Sequence, residues 1–502
     1  MPGKTVFLTG ATGSMGNSAL RHLLQRGQDR VVILVRPSDR NREAMKPYEH
    51  EPALTIVWGD LTEYEDVLRC VSGARVVLHP AALIAPAADH DPPAAWKINV
   101  GSARNIVRAI RAQPDPDGVR LINIGTVAAT GDRLPPIHVG RTGDPLKPSI
   151  YDMYACSKIQ AERIVAESGL KHWVSCRQTF IATARQIQDS IMFHQPINTC
   201  MELCTVHDAG LLLANACEED LPEGFWRRFY NIGGGPTCRT VFVSYLEQTM
   251  RLFGIDFRKV LERNWFATRN FHCHWFEDSG VLNDALHFQT ESLEDHIRQI
   301  RESIPEHVRD GARGIPHEEI KQKVLLPLAS ATPDSTLYWI RHRMEGRISA
   351  FFKSHEDWTR IPADWDQDPT EDPWKVQPLR LHHGYDEDKP TEDLALEDME
   401  EAARFRGGRC RTGTMHPGDI HSPLEWECAF GHTFRATPNL VLKGGHWCPE
   451  CAPPGWHYDE EARRNPFFAQ VWYPNHDPEE NHVYPTDCWN DILQEQEKNK
   501  EG

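Results

Sequence analysis

Short apolar runs alternate with helical patterns over the first third of the chain, and this alternation constrains the fold more than any other feature. The runs "TVFLTG", "RVVILVR" and "ARVVLH" have the composition of buried strands. Between such runs, "NSALRHLLQRG" and "SARNIVRAIRA" have the spacing of amphipathic helices. Strands that alternate with helices form a parallel sheet with helices on both faces. The sequence therefore predicts an α/β fold with a doubly wound parallel sheet.

The length of 502 residues predicts more than one domain. We expect the sheet and a smaller lobe within residues 1–310, with the lobe mainly in 180–310, where the pattern is less regular. Residues 311–394 set helical pieces between Pro and Asp clusters and are predicted as a helical bridge and linker. Residues 395–502 are predicted as a further module with a tail, because four cysteines cluster there between residues 410 and 451.

The net charge of -17 argues against a protein that coats nucleic acid or an anionic membrane, because phosphate binding needs a basic face. The N-terminus, "MPGKTVFLTG", lacks the pattern of a secretory signal, and no apolar run approaches membrane-spanning length. The thirteen cysteines are odd in number and widely scattered, which favours reduced thiols over a disulfide framework. We therefore expect a cytoplasmic protein, with no membrane partner and with nucleic acid binding unlikely.

A glycine-rich turn follows the first predicted strand and opens the first predicted helix. In "TGATGSMG", Gly10 permits the tight turn, Gly13 lets the backbone approach a pyrophosphate, and Gly16 lets helix pack on strand. Such spacing alone also occurs in structural turns. Its position between a strand and a helix, followed by a second strand, favours dinucleotide binding in a Rossmann-type fold.

The residue at the end of the second strand bears on which dinucleotide binds. An NAD-preferring protein usually has an acid there, whereas this chain has Arg36, whose guanidinium can hold a 2′-phosphate. NADP(H) is therefore favoured over NAD(H), although a solvated surface arginine and the nearby Asp39 leave the alternative open. Asp60 ends the third strand, where a carboxylate can accept the adenine amine or serve as an ordinary loop aspartate.

The stretch "YDMYACSK" offers two tyrosines and one lysine. On a helix, residues four apart share one face, so Tyr154 and Lys158 are neighbours whereas Tyr151 points away from the lysine. The spacing therefore favours Tyr154 as the partner of Lys158, with Tyr151 as a pocket or packing residue.

Roughly residues 3 to 310 resemble the extended short-chain dehydrogenase/reductase family, in its epimerase-like branch. The motifs that carry the resemblance occur in the family's order and are "TGATGSMG", "GDLT", "VVLHPAAL", "INVGSARNIV", "NIGTVAATG", "YACSKIQAE", "TVHDAGLLLANAC" and "FYNIGGG". The turn and the resemblance together imply cofactor contacts by Gly10, Thr12, Gly13, Ser14, Met15, Gly16, Arg36, Asp60, Leu61, Ala81, Ala82, Asn99, Tyr154 and Lys158.

The resemblance also implies a catalytic triad of Thr126, Tyr154 and Lys158, and an enzyme that is commonly a homodimer. Tyr154 would exchange a proton with a carbonyl or alcohol oxygen, Lys158 would lower its pKa, and Thr126 would hydrogen-bond the substrate. Thr130 lies close by and is the competing hydroxyl. We expect an NADPH-dependent oxidoreductase that interconverts a carbonyl and an alcohol on a small, fairly apolar substrate.

Departures from the family narrow this reaction. Dehydratase members carry an Asp-Glu pair after the active-site hydroxyl residue, where this chain has Val127 and Ala128. Nucleotide-sugar members have an asparagine where this chain has Phe180. The alternatives are a nucleotide-sugar epimerase, or a non-catalytic NADP-sensing regulator that binds a partner or nucleic acid through the C-terminal module.

The clustered cysteines form two short ligand pairs, Cys428-x3-His432 and Cys448-x2-Cys451, separated by fifteen residues. Two such knuckles converge on one tetrahedral zinc, and four protein ligands make the ion structural rather than catalytic. The segment also resembles small zinc-ribbon modules, and in that pattern Cys410 competes with His432 as a ligand. His416, His421 and His446 are further candidates. We expect a metal-stapled module with a scaffold role, which packs on the reductase, completes its substrate pocket or forms a dimer contact.

Overall fold

The computed structural model of the protein describes residues 3–184, 189–218, 220–451 and 457–484. The end of the predicted C-terminal module, residues 485–502, lies outside the described residues, as does Cys488 within it. Among the helices that are described, none combines the length and the apolar character needed to cross a bilayer.

The strands fall into one large sheet and several small ones. In chain order they are β1 (Thr5–Leu8), β2 (Arg30–Val35), β3 (Leu54–Trp58), β4 (Val76–His79), β5 (Arg120–Thr126), β6 (Val139–Gly140), β7 (Trp173–Gln178), β8 (Ile181–Ala182), β9 (Cys200–Glu202), β10 (Cys204–Thr205), β11 (Arg228–Ile232), β12 (Arg239–Val241), β13 (Trp275–Phe276), β14 (Arg409–Cys410), β15 (Leu424–Glu427) and β16 (Thr433–Ala436).

The large sheet has seven parallel strands in the order β3-β2-β1-β4-β5-β7-β11. The order reverses between β1 and β4, so a crevice opens there at the carboxyl ends of the strands. Every residue of β4 is buried, because helices cover both faces of the sheet. The predicted doubly wound Rossmann-type sheet is confirmed.

Helices cover the two faces of the sheet and build the lobe beside it. One buried cluster joins the sheet to Leu20 and Leu213 on one face, and another joins it to Ile106 and Val165 on the other. The helices of this part are α1 (Ser14–Arg26), α2 (Asp39–Met45), α3 (Tyr64–Val71), α4 (Ala87–His90), α5 (Pro92–Ala95), α6 (Gly101–Arg111), α7 (Met153–Ala166), α8 (Val206–Asn215), α9 (Phe242–Arg251), α10 (Phe257–Val260) and α11 (Ser279–Leu286).

The residues predicted as a bridge pack into two buried clusters. Leu325 and Trp365 join a core with residues of the lobe, and Trp339 and Phe351 join a core that includes Met153 of α7. This part therefore reaches the start of α7. Its helices, with the last helix of the lobe, are α12 (Leu293–Ser303), α13 (Glu306–Arg313), α14 (His317–Ile320), α15 (Leu326–Ser330), α16 (Thr336–Arg341), α17 (Glu345–Phe352) and α18 (His355–Thr359).

The C-terminal residues form an antiparallel sheet of β14, β15 and β16. Trp426, Leu440 and Trp447 belong to the same buried cluster as Ile106 and Val165, so one core continues from the large sheet into this module. The helices here are α19 (Leu396–Phe405), α20 (Tyr458–Arg464) and α21 (Pro466–Trp472).

Candidate active site and metal centre

The glycine-rich turn forms a tight cradle between β1 and α1. Gly10 has φ of +64°, and a Cβ there would lie 3.0 Å from the Cα of Ala81. A Cβ on Gly16 would overlap the carbonyl oxygen of Gly10. Helix α1 begins at Ser14 with neither a side-chain cap nor an acidic residue in its first turn. Its first N–H groups therefore suit the pyrophosphate of a dinucleotide, as the spacing of the glycines predicts.

A cavity of about 1600 Å³ runs from this turn along the carboxyl ends of the strands. Its volume exceeds the roughly 300–1,000 Å³ of a usual single-ligand pocket, so it has room for two molecules. Nearly all of the predicted site residues line it, namely Gly10, Thr12, Gly13, Ser14, Met15, Gly16, Arg36, Asp60, Leu61, Ala81, Ala82, Thr126, Tyr154 and Lys158.

Asn99 is the predicted cofactor residue that the structure places behind the wall rather than in it. Its amide bonds both backbone groups of Leu83, accepting from the N–H at 2.7 Å and donating to the carbonyl at 2.9 Å. It also donates to the hydroxyl of Ser157 on α7. Asn99 therefore ties the loop that carries Ala81 and Ala82 to the helix that carries Tyr154.

The cavity wall is basic where it includes the residues that follow β2. Arg36 is exposed and lines the cavity, and so do Ser38, Arg40 and Asn41. Asp39 begins α2 and lies outside the cavity wall. Sequence reasoning missed Arg40, although it follows Arg36 by four residues in "RPSDRN".

Thr126, Tyr154 and Lys158 converge on one side of the cavity. Thr126 ends β5, Tyr154 lies in the first turn of α7, and Lys158 lies one turn later. Burial raises the pKa of Tyr154 to about 12, and a hydrogen bond with the Thr126 side chain opposes this shift. The competing hydroxyl of Thr130 donates instead to the carbonyl of Val127 and lies outside the wall.

Lys158 is almost fully buried. Burial lowers its pKa to about 8, and Glu162, one turn further along α7, opposes the shift. The neighbouring imidazole of His79 is neutral near pH 7, because burial, and then the charge of Lys158, lowers its pKa to about 3. Lys158 is therefore charged at neutral pH, where it can stabilise a phenolate on Tyr154.

Two aspartates fix the start of α7. Asp152 caps the helix by accepting from the N–H of Ala155 at 2.7 Å. Asp89 accepts from the N–H of Met153 at 2.8 Å and of Tyr154 at 3.2 Å. Burial, together with the charge of Asp152, raises the pKa of Asp89 to about 8. The first turn of α7, which carries Tyr154, is thus held by the carboxyl groups of Asp152 and Asp89. The carboxyl group of Asp89 is mostly protonated at neutral pH.

Tyr151 lies outside α7, with φ of 72°. Its ring lies under the guanidinium of Arg347, with the Arg347 Cζ 4.1 Å from the ring centroid. Tyr151 also lines the cavity.

Much of the remaining cavity wall is apolar, and it includes residues that sequence reasoning did not place there. Asp334, Arg347 and Phe351 reach it from the predicted bridge. The apolar wall of the lobe consists of Phe180, Ile181, Ile191, Met192, Met201, Phe242, Tyr245, Leu246, Met250, Phe253, Ile255 and Phe271.

Four side chains of the C-terminal module meet in a compact cluster. Cys428 Sγ lies 3.5 Å from His432 Nδ1 and 3.6 Å from Cys451 Sγ, and Cys448 Sγ lies 3.7 Å from His432 Nδ1. Ligands about 2.0–2.3 Å from a tetrahedral zinc have such separations. Cys410 lies outside the cluster, so His432 is the fourth group at this centre.

The same module contacts α7 through a buried network of charges. Glu162 Oε1 lies 2.9 Å from His446 Nε2 and accepts from Arg177 Nη2 at 2.6 Å. The Nη2 atom of Arg177 also donates to the carbonyl of Gly444. Burial would raise the pKa of Glu162, but Arg177 and His446 outweigh it and lower the pKa to about 2. Glu162 is therefore ionised at neutral pH and lies one helical turn after Lys158.

Comparison with known proteins places the first part of the chain. Residues 6–177 match the model of the NAD dependent epimerase/dehydratase family. A 3-beta-hydroxysteroid dehydrogenase of Mycolicibacterium neoaurum is 28% identical over 177 residues, and human 3 beta-hydroxysteroid dehydrogenase type 7 is 30% identical over 174 residues. The matches cover 34% and 33% of this chain and 45% of each relative. The chain thus spans less than half the length of these two relatives.

A UDP-glucose 4-epimerase of Rickettsia conorii is 30% identical over 110 residues, which are 21% of this chain and 32% of that protein. A dTDP-glucose 4,6-dehydratase from Bacillus anthracis, solved in complex with NAD, is 16% identical with a TM-score of 0.48, and the match covers 60% of this chain and 96% of that chain. The sheet order and the glycine turn described above agree with the match of residues 6–177 to the NAD dependent epimerase/dehydratase family.

Proposed function

We propose that the protein is an oxidoreductase that interconverts a carbonyl and an alcohol on an apolar substrate, with NADP(H) favoured over NAD(H). The observation that carries the proposal is that Thr126, Tyr154 and Lys158 line the same cavity as the glycine turn of Gly10, Gly13 and Gly16. A bound nicotinamide supplies or accepts the hydride in such chemistry.

The residues of the chain divide the remaining work. The hydroxyl of Tyr154 donates a proton to the substrate oxygen in reduction and removes one in oxidation. The ammonium of Lys158 stabilises the phenolate that reduction leaves behind, because an opposite charge nearby favours the ionised form. The side chain of Thr126 forms a hydrogen bond with Tyr154. It can also form a hydrogen bond with the substrate oxygen that exchanges a proton with Tyr154.

The preference for NADP(H) rests on the basic end of the cavity. Arg36 and Arg40 are two cations without a described carboxylate in ion-pair contact, and Ser38 and Asn41 add polar atoms beside them. A 2′-phosphate needs such donors, whereas a free 2′-hydroxyl is usually held by an acid. Asp39, the acid nearest in sequence, lies outside the wall and does not support NAD(H).

The apolar wall supports a substrate that is larger than the small molecule expected from the sequence. Phe180 lines the cavity at the position where nucleotide-sugar members are expected to have an asparagine. A nucleotide-sugar epimerase remains the alternative, because UDP-glucose 4-epimerases are among the relatives. For a non-catalytic regulator, the assembled triad would have no role.

For the C-terminal module we propose a structural zinc held by Cys428, His432, Cys448 and Cys451. The four groups lie within 4.8 Å of one another, and all four positions of a tetrahedron are filled by protein. The continuous core and the Glu162 network support a scaffold role for the module over an independent binding function.

The test is a screen of ketones and aldehydes of increasing size for NADPH oxidation, run beside UDP-glucose and UDP-galactose. Turnover of bulky apolar carbonyl compounds, with NADPH preferred over NADH, is the expected result. Interconversion of the two UDP-sugars without net oxidation of cofactor would establish the epimerase instead. Cofactor binding with no turnover in either arm would favour the regulator.

A further inference from the structure

Arg347 is a cation in the cavity wall, which also holds Asp89, Asp334 and many apolar side chains. It lies on α17, and its Cζ is 4.1 Å from the ring centroid of Tyr151 and 5.6 Å from that of Trp339. Burial lowers its pKa, and the charges of Tyr151, Asp89 and Asp334 oppose the shift. A guanidinium nevertheless stays charged in a protein.

Within the described residues, no carboxylate lies within the 4.0 Å of an ion pair to this guanidinium, and its contacts are the faces of two aromatic rings. A partly buried cation with no carboxylate at ion-pair distance is costly, and the cost is recovered when an anion arrives with suitable hydrogen bonds. Arg347 lines the cavity.

The carboxylates nearest to Arg347 are engaged elsewhere. Asp334 pairs with His90 at 2.8 Å. Asp89 accepts two backbone N–H groups of α7, and its pKa of about 8 leaves it mostly neutral at pH 7. Asp152 caps α7 by accepting from the N–H of Ala155 at 2.7 Å.

We propose that Arg347 binds a carboxylate group of the substrate, so that the substrate class is an amphipathic acid with an apolar body and a carbonyl or alcohol near Tyr154. This inference rests on the proposed function for the carbonyl, but the carboxylate subsite is a binding property of its own. The planar guanidinium matches a carboxylate with two parallel hydrogen bonds. The apolar wall around Phe351, Met192 and Phe271 holds the body of the substrate.

The test compares decanoate with decanamide, which has the same shape and no charge, by calorimetric titration of the full-length protein saturated with NADPH. Wild-type protein is expected to bind decanoate at least about tenfold more tightly, since a hydrogen bond to a charged group contributes roughly 1.5–3 kcal/mol. Arg347→Met should remove this difference, and Arg347→Lys should restore part of it. Arg341→Met is the matched control, because Arg341 is exposed and lies outside the wall.

Equal affinity for the two probes in the wild type, or a difference that persists in Arg347→Met, would overturn the subsite. Absence of decanoate binding would overturn it as well. Because the readout is binding, a protein that prefers decanoate but turns over no carbonyl compound would refute the proposed function and keep the subsite.

Discussion

His446 of the C-terminal module and Glu162 of α7 are joined by a contact of 2.9 Å between Nε2 and Oε1. Glu162 lies one helical turn beyond Lys158 and supports the charge of that lysine. The module therefore contacts Glu162, the residue that supports the charge of the candidate catalytic Lys158.

Removing the charge of Glu162 tests its effect on Lys158. In Glu162→Gln the negative charge behind Lys158 is lost, so the pKa of Lys158 should fall further below about 8. Lysine then loses its proton at lower pH, and the alkaline fall of kcat/KM should move toward neutral pH. The pH dependence of kcat/KM between pH 6 and 10 measures this.

Glu167→Gln is the matched control, because Glu167 binds Thr437 of the module but lies further along the chain from Lys158. It should weaken docking without moving the alkaline limb. Identical pH profiles for the two variants would show that Glu162 acts only as a docking residue.

Tyr154→Phe should lower kcat by at least about a hundredfold, since a positioned acid or base typically contributes 10²–10⁴-fold. Cofactor binding, followed by NADPH fluorescence, should be retained because the glycine turn is untouched. Tyr151→Phe serves as the comparison and should keep turnover within about tenfold. Near-normal turnover in Tyr154→Phe would remove the assignment of this residue.

Arg36→Ala and Arg40→Ala should each raise KM for NADPH by about tenfold or more while leaving KM for NADH nearly unchanged. The physical reason is the loss of a charge-assisted hydrogen bond that only the 2′-phosphate can accept. Arg42→Ala is the control, because the guanidinium of Arg42 lies over the ring of Trp58, 4.8 Å from its centroid, and outside the cavity wall. Equal losses for NADPH and NADH would contradict the basic end as a phosphate site.

Metal analysis should find one zinc per chain in protein purified without chelator. Cys448→Ser should lose this zinc and unfold at a lower temperature, because the ion joins two distant loops of the module. Cys410→Ser should keep the zinc, since Cys410 lies outside the cluster. Wild-type protein free of zinc would refute the metal centre.

His482 provides a test of stability against pH. Its Nδ1 lies 3.5 Å from a carboxylate oxygen of Asp459 and 3.4 Å from one of Glu480, and these two partners raise the pKa of His482 to about 9, above the ordinary value of 6.5. A raised pKa stabilises the fold fully below pH 6.5, and this contribution is lost as the pH rises through 9. The free energy of unfolding in urea should therefore fall over this range, and less steeply in His482→Gln. An unchanged slope in the variant would count against the ion pairs.

The choice of Tyr154 over Tyr151 shows how far sequence reasoning reached. The spacing predicts that both tyrosines lie on one helix. In the structure α7 begins only at Met153, and Tyr151 has φ of 72°. The choice of Tyr154 did not depend on that error, because Tyr154 and Lys158 do share one helix face. Local spacing is reliable when the reacting groups lie on one element.

By itself the sequence determined the alternation of strands and helices, the glycine cradle, and the two knuckles of Cys428-x3-His432 and Cys448-x2-Cys451, because each depends on neighbours along the chain. Only the tertiary structure decided that Arg347 lines the cavity, that Cys410 stands apart from the cluster and that His446 meets Glu162. The last pair is 284 residues apart in the chain. Contacts of that kind arise from packing of distant elements, and no local pattern of residues records them.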